Sequence, residues 1–90
     1  MPYYPNLTRV LSAKIMLRYP NASPVLKDVD TITDDFEMAC YLLWMLNELQ
    51  KFYAPKRGRW MGYVQARMEC LGLITNAENR KITKLDLDFQ

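Results

Sequence analysis

The sequence predicts a mostly helical α+β fold, three helices followed by a C-terminal β-hairpin, with residues 1–90 forming a single domain. Three observations carry that expectation. Apolar residues recur at helical spacing near the start, residues 38–46 are apolar without a break, and beyond Gly72 the side chains alternate as they do along a strand. Half of the 90 residues are apolar, enough for a modest core in one domain but not in two.

Leu7, Val10, Leu11 and Ile15 follow Pro5-Asn6 at a helical period, and Tyr19-Pro20 ends the run because proline disfavours a helical residue before it. The first helix is therefore expected over about 7–18. Ser23-Pro24 reads as a cap and first-turn proline, which suggests a single helical turn over 24–28; residues 29–33 fit a turn or a short strand equally well. Asp34 and Glu37 have the spacing of a capping box, and Asp35 adds negative charge at the positive end of the helix dipole. A second helix is expected over about 34–53. Because residues 38–46 offer no polar face, this helix is either wrapped by the rest of the domain or meets a second copy through Tyr41, Trp44 and Met45.

Ala54-Pro55 reads as the end of that helix and Lys56-Arg57-Gly58-Arg59 as a basic loop. The third helix is expected over about 59–71. Trp60, Met61, Val64, Met68 and Leu71 share its apolar face, while Arg59, Gly62, Gln65, Ala66 and Glu69 share the other. Gly72 stands where a left-handed C-terminal cap favours glycine. The hairpin follows over about 73–89, with a short strand at 73–75, a turn at 76–79 and a longer strand from 81 to 89. Thr83, Leu85, Leu87 and Phe89 would face the core, and Lys84, Asp86 and Asp88 the water.

The formal net charge is only +2, but it is unevenly spread. Residues 1–55 hold five Lys/Arg against six Asp/Glu, and residues 56–90 hold seven against four. The chemistry of an active site is hard to find. No histidine is present, which removes the commonest general base and zinc ligand, and two cysteines cannot close a structural zinc site. The acids between 28 and 37 lack the glycine and ligand spacing of a calcium loop and read better as helix caps. No catalytic residue, metal or cofactor is expected, and the chain does not read as an enzyme. Cys40 and Cys70 read as free thiols, and no secretory leader or span-length apolar run is visible, which fits a cytoplasmic protein off the membrane.

The run Met68-Glu69-Cys70-Leu71-Gly72-Leu73-Ile74, with the basic residues Arg80 and Lys81 beyond it, resembles the C-terminal half of a winged-helix DNA-binding domain over about 59–89. That resemblance implies a recognition helix at 59–71 and a wing at 75–87. Its small, polar face would enter a major groove about 12 Å wide, with Gln65 placed to pair with adenine. Lys56, Arg57 and Arg59 would meet phosphates, and Arg80 and Lys81 would reach flanking backbone or minor groove. The implied function is a small, dimeric DNA-binding transcriptional regulator acting on duplex DNA. The sequence also departs from the pattern, in a long second helix and in Glu69 on the reading face. The alternative is a protein-interaction or assembly module with the second helix as its contact surface and no nucleic-acid binding.

Overall fold

The computed structural model describes residues 3–87, and all of its regular structure is helical. Four α-helices follow one another: α1 (Pro5–Arg18), α2 (Asp35–Glu48), α3 (Ala54–Cys70) and α4 (Asn76–Leu87). Two short 3₁₀ turns, Val29–Thr31 and Leu49–Lys51, precede and follow α2. No strand occurs among the described residues, so the fold is all-α, and the expected α+β class with its C-terminal hairpin is overturned.

The core is built around α2. Met38, Ala39, Cys40, Leu42, Leu43, Met45 and Leu46 are all buried, against Leu7, Leu11 and Ile15 of α1 and Met61, Val64 and Met68 of α3. Asp34 caps α2 as its position suggests, its carboxylate accepting the Glu37 N–H at 2.7 Å. The α-helix gives way at Glu48 to the 3₁₀ turn, so it ends five residues before the predicted residue 53. The segment 24–28 forms no helical turn; the turn falls instead at Val29–Thr31, where Asp28 accepts the Asp30 N–H at 3.1 Å.

Helix α3 begins at Ala54, five residues before its expected start. Pro55 sits in its first turn, where the missing N–H leaves no hydrogen bond unmade, so the proline starts this helix rather than ending the one before. Lys56, Arg57 and Gly58 are consequently helical and not a loop. The other end matches expectation. Gly72 adopts φ +72, its N–H donates to Glu69 O at 3.0 Å and the Leu73 N–H donates to Met68 O at 3.0 Å, the double bond of a Schellman cap. A Cβ at Gly72 would meet no atom within 4 Å, so Gly72→Ala carries only the backbone penalty. We expect a loss of about 1–2 kcal/mol, read as a lower urea midpoint with an unchanged m-value.

The region expected to be a hairpin is α4, and its start explains why. Thr75-Asn76-Ala77-Glu78 forms a reciprocal capping box: Thr75 Oγ1 accepts the Glu78 N–H at 3.1 Å, and Glu78 Oε1 accepts the Thr75 N–H at 3.3 Å. Facing inward are Asn79, Ile82, Thr83 and Asp86, which recur at 3, 4 and 7 residues as a helix requires. Leu85 and Leu87, assigned to the core by strand alternation, are exposed, and Asp86, assigned to water, is fully buried. Phe89, the last residue of the expected strand, lies outside the described residues.

Helix α4 packs on α1. One fastening is the ion pair of Lys14 Nζ with Glu78 Oε2 at 3.2 Å. Lys14, followed by the Thr75 backbone and hydroxyl, holds the Glu78 carboxyl below its ordinary range. A depressed carboxyl stabilises the folded chain fully above its unfolded pKa, and that contribution disappears as pH falls through the folded value. Glutamine at the same position keeps the capping box but not the charge. Stability curves of wild type and Glu78→Gln are therefore expected to separate at neutral pH and converge in acid; curves that stay parallel would remove the ion pair from the account.

Candidate functional site

The structure divides the residues singled out in the sequence between two surfaces and the interior. Arg57 goes to the interior. It is 8% exposed, donates from Nη1 to Phe52 O at 2.6 Å and stacks its guanidinium 3.5 Å from the Tyr3 ring centroid. It clamps the N-terminal segment over the start of α3, with its guanidinium buried and its Nε without a hydrogen-bond partner. Gln50 supports the same clamp by accepting from Tyr3 N at 2.7 Å and donating to Tyr3 O at 2.8 Å.

The first surface is a polar groove of about 520 Å³ between α3 and α4. Gly62, Gln65, Ala66 and Glu69 form its α3 side, and Asn79, Arg80, Thr83 and Lys84 its α4 side. Gln65, expected to read a base edge, donates instead to Thr83 Oγ1 at 2.7 Å and Asn79 Oδ1 at 3.4 Å. Asn79 in turn donates to Glu69 Oε2 at 2.9 Å. These bonds tie the polar face of α3 to a neighbouring helix, so the amide is committed within the chain. Arg80 and Lys81 are exposed as expected, but on the surface of α4 rather than at the tip of a ribbon.

The second surface is an aromatic seam where α2 and α3 meet. Tyr41 and Trp44 of α2 stack at 5.9 Å between ring centroids, Trp44 and Trp60 lie 5.7 Å apart, and Phe52 meets Trp60 edge-on at 4.6 Å. All four rings, with Tyr63, are half-buried, so the seam is open on one side. A cleft of about 270 Å³ opens along it, lined by Val29, Tyr41, Met45, Arg59, Trp60 and Tyr63. Met45 itself is 4% exposed and serves as floor rather than contact, because one residue further along a helix turns the side chain 100° from Trp44. Lys56 Nζ lies 4.0 Å above the Phe52 ring. Arg67 donates from Nε to the Tyr63 hydroxyl at 3.2 Å, a bond that raises the guanidinium pKa further. Burial, then Tyr63 and Asp28, push the Tyr41 phenol above its ordinary value, so it remains a neutral donor at physiological pH.

Tyr41 and Trp44 are thus half-buried at the surface, and Arg59 is exposed and lines the cleft along the seam. The sequence did not place Phe52, Trp60 and Tyr63 on this surface. The missing signal was the start of α3: once the helix begins at Ala54, Lys56, Trp60, Tyr63 and Arg67 recur at 4, 3 and 4 residues along one stripe.

Among the described residues no group of three or more His, Cys, Asp or Glu is arranged to hold a metal ion, and no helix is long and apolar enough to cross a membrane. No protein-family model matches the chain, and neither a curated protein nor a solved structure matches it. The fold and the two surfaces therefore define it only as a small all-α domain.

Proposed function

We propose that the chain is a protein-interaction module whose contact surface is the aromatic seam between α2 and α3. The observation that carries this reading is the contiguous set of half-exposed rings Tyr41, Trp44, Phe52, Trp60 and Tyr63, bordered by Lys56, Arg59 and Arg67. Large aromatic side chains with arginine at their margin are the composition of interface hot spots, and a small monomeric domain has little reason to leave so many together at its surface. A tagged chain recovered from nuclease-treated extract of its source cells should retain a protein partner in stoichiometric amount. Tyr41→Ser/Trp60→Ser, checked for helicity by circular dichroism, should lose that partner. Retention unaffected by the double substitution would remove the seam as the contact surface.

A second reading, duplex-DNA binding by a transcriptional regulator, keeps one supporting observation: Arg80, Lys81 and Lys84 are exposed within a little over one turn of α4 and have no carboxylate partner among the described residues. It no longer draws on a wing. Anisotropy titration at low salt tests it, since binding through these cations should weaken with a log–log slope of roughly −0.9 per phosphate contacted. No binding to mixed duplex at low salt eliminates it.

A further inference from the structure

We infer that the partner at the aromatic seam is a second copy of this chain, docked so that α2 of each copy lies against α3 of the other. The inference rests on the interaction reading above and adds the identity of the occupant. Its basis is the segregation of charge across the seam. The half-buried stripe of α2 runs Glu37, Tyr41, Trp44, Glu48, and between Asp35 and Glu48 this helix contains no lysine or arginine. The facing stripe of α3 runs Lys56, Trp60, Tyr63, Arg67, with Arg59 beside it; the only acid of this helix, Glu69, is turned toward α4 and bound by Asn79. One edge of the aromatic surface is therefore acidic and the other basic.

Among the described residues no ion pair crosses the seam within the chain; the one pair on the acidic edge, Glu48 with Lys51 at 3.2 Å, is made on that edge's own side. The ion pairs among the described residues are Lys14 with Glu78 and Lys51 with Glu48, so Lys56, Arg59, Arg67 and Glu37 form none, although Asp34 and Asp35 line the same hollow as Arg67. The two helices run in opposite directions, since Asp34, Asp35 and Met38 at the start of α2 line the same hollow as Arg67 and Cys70 at the end of α3. A twofold axis lying along the seam exchanges the two edges. It sets the Glu37 end of α2 against the Arg67 end of the partner's α3, sets the Glu48 end against the Lys56 end, and buries the rings between them. A patch with an apolar centre and opposite charges at its two sides is self-complementary under such an axis, which is the condition a twofold interface must meet.

Charge reversal tests the arrangement, because it fails singly and succeeds in combination. Wild-type chain should sediment at twice its 10.6 kDa as concentration rises. Arg59→Glu/Arg67→Glu places acid on both edges and should remain at the single mass, as should Glu37→Lys/Glu48→Lys, which places base on both. An equimolar mixture of the two should recover the double mass, since each acidic edge then finds a basic one. Wild type that stays at the single mass at every concentration overturns the dimer while leaving the interaction reading intact, provided the extract experiment still finds another protein at the seam. Wild type that dimerises without recovery in the mixture overturns the opposed-edge geometry. Should a variant fail to fold, intrinsic fluorescence of the wild type decides the location. Both tryptophans of the chain, Trp44 and Trp60, lie in the seam, so dimerisation there must shift their emission to the blue and shield them from iodide. A dimer with unchanged emission places the interface elsewhere.

Discussion

Asp86→Ala is expected to lower the unfolding free energy by about 3 kcal/mol. The carboxylate is 0% exposed and caps a helix that lies 80 residues earlier in the sequence. Helix α1 starts with Tyr4 in a left-handed conformation, a residue whose side chain makes no capping bond, followed by Pro5. The first free donors of the helix, Asn6 N and Leu7 N, go to Asp86 Oδ1 at 3.0 Å and Oδ2 at 2.8 Å, and Asn6 Nδ2 adds a third bond at 2.9 Å. Negative charge at a helix N-terminus also meets the positive end of the dipole. Alanine would leave two backbone N–H groups and a side-chain amide without acceptors at a buried site, and of the polar fastenings between α4 and α1 among the described residues only the Lys14–Glu78 pair would remain. Asp86→Asn keeps the shape but presents an NH₂ group to one of the donors, so it should fall between alanine and wild type. Urea unfolding of the three proteins measures the order; Asp86→Ala within about 0.5 kcal/mol of wild type would mean the cap contributes nothing.

The same residue shows why this end of the fold was illegible. A hydrophobic period finds a helix when its inward face is apolar, as in α1, where Leu7, Leu11 and Ile15 mark the buried stripe. The inward face of α4 is Asn79, Ile82, Thr83 and Asp86, held by hydrogen bonds more than by burial of carbon, while its leucines face outward. Alternation of Leu85, Leu87 and Phe89 with acids then imitates a strand. The local signal that contradicts the strand is Thr75-x-x-Glu78, a capping box whose meaning depends on the next twelve residues being helical despite their polarity. Gly72 was readable because its role is a backbone conformation and needs no partner. Gln65 was not, because its partners Thr83 and Asn79 become neighbours only after α4 folds back over α3. Tyr41 and Trp44, the rings expected at the surface of α2, are half-buried and stacked on one another along one side of that helix.

Leu42→Ala should cost about 2–5 kcal/mol, and its reason is the position of α2 rather than any property of leucine alone. Leu42 is 0% exposed in the middle of α2, a helix that packs against both α1 and α3. Relaxation around the resulting cavity is limited, because each wall is also held by its other neighbours. A 90-residue domain has a total stability of roughly 5–13 kcal/mol, so the loss takes a large share of it and lowers the melting temperature by about 15 °C. Leu85→Ala is the matched control: the same atoms are removed at a position 46% exposed on α4, and the change should stay within about 0.5 kcal/mol. Thermal unfolding of both variants beside Asp86→Ala separates the two possible structures for residues 76–87. A hairpin with Leu85 in the core makes Leu85→Ala severe and Asp86→Ala mild, whereas the helix reverses the pair. A severe Leu85→Ala would therefore undo α4, and with it the capping of α1 by Asp86 and the commitment of Gln65 to the groove.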